Sequence, residues 1–288
     1  MLTAVEFMLA PFVVCLLLIG INIYFGIHVI KREIIFIDIA LAQIAALGGT
    51  VAGILHDLLP GHGAHSHDEH GFMWYLFAIG FTTLAALMFS ALKSKKLPIP
   101  LESLIGIAYA VAATGAVIIL DKAAGGDVHV HEMVAGSILW VSWQQIAVLL
   151  IIFGLIGIFH FLYRKTFLAL TDSYNNETKN NFSFWWDFLF YATFGIAVVF
   201  SVQVGGILTV FAFLIIPASI SALFSENWRN RILIGWGLGT LVTVCGLYLS
   251  WEMDVPSSPT VILFLGVFLL LAILVRSLRN FRIFGVRR

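Results

Sequence analysis

Apolar runs separated by short polar segments recur along the whole chain. Each run is about 20 residues long, the length that an α-helix needs to cross roughly 30 Å of hydrocarbon. The pattern therefore predicts an all-α fold, a polytopic transmembrane helical bundle with about nine membrane crossings, in a single transmembrane domain over residues 1–288. The predicted spans are residues 6–30, 34–59, 72–92, 101–120, 137–163, 185–203, 206–223, 232–250 and 259–276.

The split between the sixth and seventh spans decides on which side of the membrane the earlier loops lie. It falls at Gln203, Gly205 and Gly206. A single bent helix at this point would reverse the side of every loop upstream. The first run lacks a basic leader and an Ala-x-Ala-type site, so we expect a retained helix rather than a cleaved signal peptide.

Composition excludes an ordinary soluble protein. Of the 288 residues 60% are hydrophobic and 11% are charged, against roughly 25% charged in an average soluble domain. Cys15 and Cys245 both lie within apolar runs, so neither a disulfide framework nor a zinc–thiolate cluster is predicted. The surroundings are expected to be membrane lipid, and no nucleic-acid partner is expected.

The basic residues indicate the orientation of the chain. Cytoplasmic loops of membrane proteins carry an excess of Lys and Arg. With the N-terminus outside, only Lys122 of the 16 basic residues falls in an outer loop, which predicts a cytosolic C-terminus. The predicted inner set comprises Lys31, Arg32, Lys93, Lys95, Lys96, Arg164, Lys165, Lys179, Arg229, Arg231, Arg276, Arg279, Arg282, Arg287 and Arg288.

A histidine-rich outer loop is predicted over residues 60–71. Imidazole nitrogen and carboxylate oxygen are suitable ligands for zinc, manganese and iron. These ligands predict metal affinity, whereas the glycines leave the stretch many conformations, so a rigid four-coordinate site is not expected. A solvated polar loop in which the histidines do nothing is the alternative. The candidate ligands are His62, His65, His67 and His70.

Asp38 and Gln43 are the polar residues of the second span that deserve a functional hypothesis. A carboxylate inside the bilayer costs about 2.5 to 3.5 kcal/mol on insertion scales. Small residues recur every fourth position along this span, which predicts close helix packing and places both side chains away from lipid. A structural alternative is that Asp38 pairs with Lys31 or Arg32, or caps the helix.

Other polar residues in or beside the spans have structural explanations. Glu102 lies in a first helical turn after Pro100, where the helix dipole favours an acid. His28 and His160 lie near inner boundaries, where a lone histidine is expected to be an interfacial anchor.

Catalytic motifs are missing from the sequence. His131 and Glu132 are not followed by the second histidine of a zinc-protease helix, and there is no Walker glycine–lysine loop or Gly-x-Ser-x-Gly elbow. We therefore expect a non-enzymatic chain without an intrinsic cofactor. If ATP drives it, the ATPase is a separate subunit.

Six stretches together resemble one family. They are residues 32–49 (REIIFIDIALAQIAALGG), 101–113 (LESLIGIAYAVAA), 136–143 (GSILWVSW), 186–191 (WDFLFY), 202–218 (VQVGGILTVFAFLIIPA) and 254–261 (DVPSSPTV). The chain resembles the ABC-3 family, the membrane permeases of bacterial ABC importers for zinc, manganese and related divalent cations.

The resemblance implies partners and a location. It implies a permease homodimer over two cytosolic ABC ATPases, fed by an extracytoplasmic metal-binding protein, in the bacterial cytoplasmic (inner) membrane. Residues 164–184 lie where the family has its cytoplasmic coupling segment. Many members have a histidine four residues after the aspartate that matches Asp38, whereas this chain has Ala42 there, with Gln43 beside it.

These observations predict a permease subunit of an ATP-driven importer for divalent transition metals, zinc first and manganese or iron next, working by alternating access. Asp38 is the leading pathway residue. The alternative is a secondary transporter driven by an ion gradient, which would need intramembrane ligands in several helices. A scaffold or metal sensor without transport would leave Asp38 unexplained.

Overall fold

The computed structural model describes residues 2–58, 71–94, 98–120, 136, 138–174 and 181–285. Within these ranges the chain is helical and contains no strand, which confirms the all-α prediction. Nine of the helices in the described ranges are long and apolar enough to cross a membrane. The elements are α1 Leu2–Lys31, α2 Ile37–Leu58, α3 Phe72–Ser94, α4 Leu101–Leu120, a 3₁₀ helix Ile138–Trp140, α5 Trp143–Leu162, α6 Arg164–Asp172, α7 Asn181–Gly205, α8 Ile207–Phe224, α9 Trp228–Met253 and α10 Ser257–Gly285.

The helices form two compact units. The first contains α1, the 3₁₀ helix, α5 as far as Gly157, α8, α9 and α10, and the second contains α2, α3, α4, the end of α5, α6 and α7 as far as Gln203. In the first unit α1 packs against α8 and α9, and α10 packs against both α8 and α9.

Glycines allow the close helix contacts of the first unit. A Cβ on Gly26 of α1 would collide with the Leu214 carbonyl of α8, and a Cβ on Gly235 of α9 would lie 2.6 Å from Ile23 Cγ2. The spacing of Gly235 and Gly239 therefore serves helix packing, since a Cβ on Gly239 would also lie 3.2 Å from Ile23.

In the second unit α2 packs against both α3 and α4. A Cβ on Gly48 would lie 2.7 Å from the Phe77 carbonyl oxygen of α3. The small-residue pattern thus correctly predicts close packing of α2, and Ala42 is buried. The close packing does not extend to Gly53, which is exposed and has open space where a Cβ would be.

The predicted split near Gly206 is present. α7 ends at Gly205 and α8 begins at Ile207, with Gly206 between them at φ 75° and ψ 160°, a backbone conformation that is essentially restricted to glycine. Gly136, at φ 65°, packs so closely here that a Cβ on it would lie 2.2 Å from the Gly205 carbonyl oxygen. The break therefore depends on backbone freedom at position 206 and on close approach at position 136.

Candidate functional site

Asp38 lies in the first turn of α2, directly after a tight turn. The turn is closed by a hydrogen bond from the Ile37 amide to the Ile34 carbonyl, and Glu33 adopts a left-handed φ of 56°. Asp38 is 2% exposed. The carboxylate therefore lies at the N-terminal end of α2, where the helix dipole favours a negative charge.

The carboxylate of Asp38 retains an oxygen for a ligand. Considering only the parts of the chain that the structure describes, Asp38 Oδ1 is buried and has no hydrogen-bond partner. Arg32, which the sequence offers as an ion-pair partner, forms its ion pair with Asp187 instead. A buried acceptor without a partner is costly, and a bound cation would supply the missing interaction.

Gln43 is also buried, at 8% exposed, but it faces elsewhere. Because α2 is an unbroken α-helix from Ile37 to Leu58, five positions turn Gln43 by about 140° from Asp38. The helix distortion that would bring both side chains to one ion is not present in α2. Ala42, one turn after Asp38, contributes no ligand atom.

The candidate loop ligands His62, His65, His67 and His70 lie outside the described residues. Among the residues that can be described, no group of three or more His, Cys, Asp or Glu side chains could hold a metal ion. Within the described residues Asp38 therefore stands as a single carboxylate, and a metal ion bound there would need further donors.

Two histidines that the sequence predicts at the membrane boundary are buried instead. His28 is fully buried and its ring packs against Tyr24 and Trp228, at centroid distances of 4.8 and 4.6 Å. His160 hydrogen-bonds Thr193 at 2.8 Å and stacks on Phe167 at 4.1 Å. Both are held in aromatic packing, which their neighbours in sequence do not reveal.

An ion cluster in the second unit, with a buried arginine and aspartate and a partly exposed lysine, was not predicted from the sequence. We define the ion cluster as Arg32, Lys93, Thr171 and Asp187. Arg32, 1% exposed, donates from Nη1 to Asp187 Oδ1 at 3.1 Å and from Nε to Thr171 Oγ1 at 2.9 Å. Lys93 donates to the other oxygen, Asp187 Oδ2. Asp187 lies inside a predicted span, and the cost of a charge there was the signal that could have found it.

Aromatic rings enclose the ion cluster. The Arg32 guanidinium lies 3.8 Å from the centroid of Phe190, and Lys93 Nζ lies 3.6 Å from that of Tyr174. Burial raises the pKa of the Tyr174 phenol to about 12, so it remains neutral at physiological pH. Its hydroxyl shares a hydrogen bond of 2.7 Å with Tyr191. Arg32 and Asp187 are shielded from water, which strengthens the ionic contact between them.

The short helix α6 lies within the predicted coupling segment, residues 164–184. Its inner side is formed by Phe167 and Thr171, both buried. Its outer side exposes Lys165, Ala169 and Asp172, which lie on one face because helical neighbours recur every three or four positions. The helix thus offers an exposed face while two buried side chains hold it to the bundle.

Comparison with known proteins identifies the family. The model of the ABC 3 transport family matches residues 4–276. The chain belongs to the ABC 3 transport family. This ABC 3 chain is 26% identical over 227 residues to an uncharacterized membrane protein of Synechocystis sp., covering 78% of this chain and 79% of the relative.

Two further proteins are similar to this ABC 3 chain. Over 231 residues it is 26% identical to a Listeria monocytogenes protein named manganese transport system membrane protein MntC, covering 77% of this chain and 78% of that protein. Its fold matches a chain of PsaBC from Streptococcus pneumoniae, solved in complex with Fab, with a TM-score of 0.73, 17% identity and coverage of 94% and 93%. The structural match shows that the two chains share a fold.

Proposed function

We propose that this ABC 3 chain is the permease subunit of an ATP-driven importer for divalent transition-metal ions, working by alternating access. The observation that carries the proposal is the buried Asp38 carboxylate, whose Oδ1 has no hydrogen-bond partner in the described chain. A carboxylate supplies an oxygen ligand and a negative charge that offsets part of the desolvation of a divalent cation. The relative named a manganese transport protein supports the same function.

We place manganese first among the candidate ions, ahead of zinc and iron. Carboxylate and carbonyl oxygens are suitable for manganese, whereas imidazole is a common zinc ligand. Ala42 removes the imidazole that many family members have one turn after the aspartate. Gln43 remains a candidate ligand, but on a different face of α2 from Asp38.

The proposed partners are a cytosolic ABC ATPase, an extracytoplasmic metal-binding protein and a second copy of this chain. ATP would bind only to the ATPase. The test uses proteoliposomes that contain the chain and the ATPase that copurifies with it. The binding protein is added outside, and uptake of Mn²⁺ and of Zn²⁺ is measured. Uptake by the chain alone, driven by a proton or sodium gradient, would instead establish a secondary transporter.

We propose that the chain lies in the bacterial inner membrane with its C-terminus in the cytosol. The expectation rests on the 15 of 16 Lys and Arg residues assigned to one side. Alkaline phosphatase is active only outside the cytosol, so its fusion after Arg288 is expected to be inactive. Green fluorescent protein fused at the same point is expected to fluoresce. The opposite result would invert the topology.

The outer histidines are proposed to capture metal rather than to translocate it. Imidazole nitrogens that are not fixed in a complete coordination shell are expected to bind and release ions readily. Replacing His62, His65, His67 and His70 by serine is expected to lower uptake at scarce metal, with full uptake at saturating metal. Uptake measured over a range of Mn²⁺ concentrations checks this, and loss at saturation would show that the histidines are essential to translocation.

A further inference from the structure

The ion cluster joins four separate segments of the second unit. Arg32 precedes α2, Lys93 lies at the end of α3, Thr171 is on α6 and Asp187 is on α7. The Arg32 side chain alone contacts two of the others, through Nε to Thr171 and Nη1 to Asp187. The guanidinium therefore fixes the position of α6 relative to α7 and to the beginning of α2.

The bonds in the ion cluster specify geometry more than they add stability. Two cations, Arg32 and Lys93, share the single carboxylate of Asp187, and Arg32 Nη2 is buried without a partner among the described side chains. Desolvation offsets most of the Coulomb attraction of a buried ion pair. Hydrogen bonds are directional, however. A shift or rotation of α6 relative to Arg32 would therefore break the bond between Thr171 and Arg32.

A second contact, through Phe167, also holds α6 to the second unit. Phe167, one turn before Thr171, is fully buried and stacks on the His160 ring of α5, with an interplanar angle of 11°. Its ring also meets Trp186 edge-to-face at 5.5 Å. The helix is thus held by apolar packing at one end and by the Arg32 bond at the other.

Arg32 is connected to Asp38 by a short and ordered turn. This turn is closed by the hydrogen bond between Ile37 and Ile34 and carries Glu33 in a left-handed conformation. A displacement of Arg32 is therefore passed to the start of α2 rather than absorbed by slack chain. Asp38, in the first turn of α2, is the residue that would move.

We propose that the ion cluster transmits the movement of α6 to Asp38, with Arg32 as the positioning residue and Thr171 as its contact on α6. The inference rests on the proposed function, since it assumes that the partner ATPase docks on the exposed face of α6. Closure of the ATPase displaces α6, the Thr171–Arg32 bond carries the displacement to the turn before α2, and the carboxylate of Asp38 changes its position on the ion path.

The test compares uptake with hydrolysis in the same vesicles. The complex of this chain with its copurifying ATPase is reconstituted with the external binding protein, and Mn²⁺ uptake and phosphate release are measured together. Thr171→Val keeps the shape of the side chain and removes the hydroxyl that accepts the bond from Arg32. We expect about tenfold fewer ions per ATP, because a hydrogen bond to a charged group is lost, with normal insertion and normal ATPase binding.

Further variants separate transmission from structure. Thr171→Ser keeps the hydroxyl and is expected to restore the wild-type ratio. Arg32→Lys keeps the charge but loses the donor geometry. The double variant Arg32→Lys, Thr171→Val is expected to have the same ratio of ions to ATP as Arg32→Lys alone, since both substitutions break the bond between Arg32 and Thr171. Thr114→Val is the matched control, because Thr114 is exposed on α4 and hydrogen-bonds only locally, to the Ala110 carbonyl.

The outcomes distinguish the two proposals. A purely structural role would lower inserted protein, hydrolysis and uptake in proportion, leaving the ratio of ions to ATP unchanged, and would overturn the inference. Loss of ATPase binding in Thr171→Val would also overturn it, because Thr171 would then belong to the docking surface. Absence of ATP-driven uptake of Mn²⁺, Zn²⁺ and Fe²⁺ by the wild-type complex would refute the proposed function itself.

Discussion

Asp38→Asn is expected to leave the chain assembled and to reduce metal transport at least about tenfold, which corresponds to roughly 1.4 kcal/mol. The variant keeps the shape of the side chain and removes its charge. Asp38 is buried, and its Oδ1, which has no hydrogen-bond partner among the described residues, is the atom that would bind the ion. An amide in the same place offers a neutral carbonyl, which offsets less of the desolvation of a divalent cation. Uptake of Mn²⁺ and Zn²⁺ is measured separately.

The control for this variant is Asp254→Asn. Asp254 is exposed at the end of α9, in a left-handed conformation with φ 52°, which asparagine adopts readily. It is expected to transport normally. Equal amounts of copurified ATPase in both variants would show that assembly is intact. Full transport by an assembled Asp38→Asn variant would contradict the role of Asp38 as an ion ligand and leave it as a helix-terminal acid.

Ala169→Arg is expected to abolish ATPase binding and to reduce transport at least about tenfold, as for a residue at the centre of an interface. Ala169 is exposed in the middle of the outer side of α6, between Lys165 and Asp172. A small residue there permits close approach of a partner. The long, charged side chain blocks that approach without disturbing Phe167 or Thr171 on the buried side. Copurification of the ATPase and Mn²⁺ uptake are the two measurements.

Asn230→Arg provides the comparison for this substitution. Asn230 is exposed near the start of α9, on the side of the membrane that the basic residues predict to be cytosolic. The same charge and bulk are added there, outside α6, and normal ATPase binding is expected. If Ala169→Arg binds the ATPase as well as Asn230→Arg does, the docking surface lies elsewhere in the chain.

Much of the fold could be predicted from the sequence because its signals are local. A span is a continuous apolar run whose length the bilayer sets, so the nine predicted crossings agree with the nine candidate spans in the described chain. The break at Gly206 is marked by the residue type that tolerates φ 75°. The small residues of the second span predicted close packing of α2, and Asp38 is buried as expected.

The helical class, the positions of the spans, the asymmetry of basic residues and the carboxylate at the start of the second span can all be inferred from the amino-acid pattern. Which charges meet depends on tertiary packing. Arg32 is close to Asp38 in the chain, yet it binds Asp187, which is 155 positions away, and this leaves Oδ1 of Asp38 available. The physical reason is that spans are specified by consecutive residues, whereas an ion pair depends on helices brought together by packing over the whole bundle.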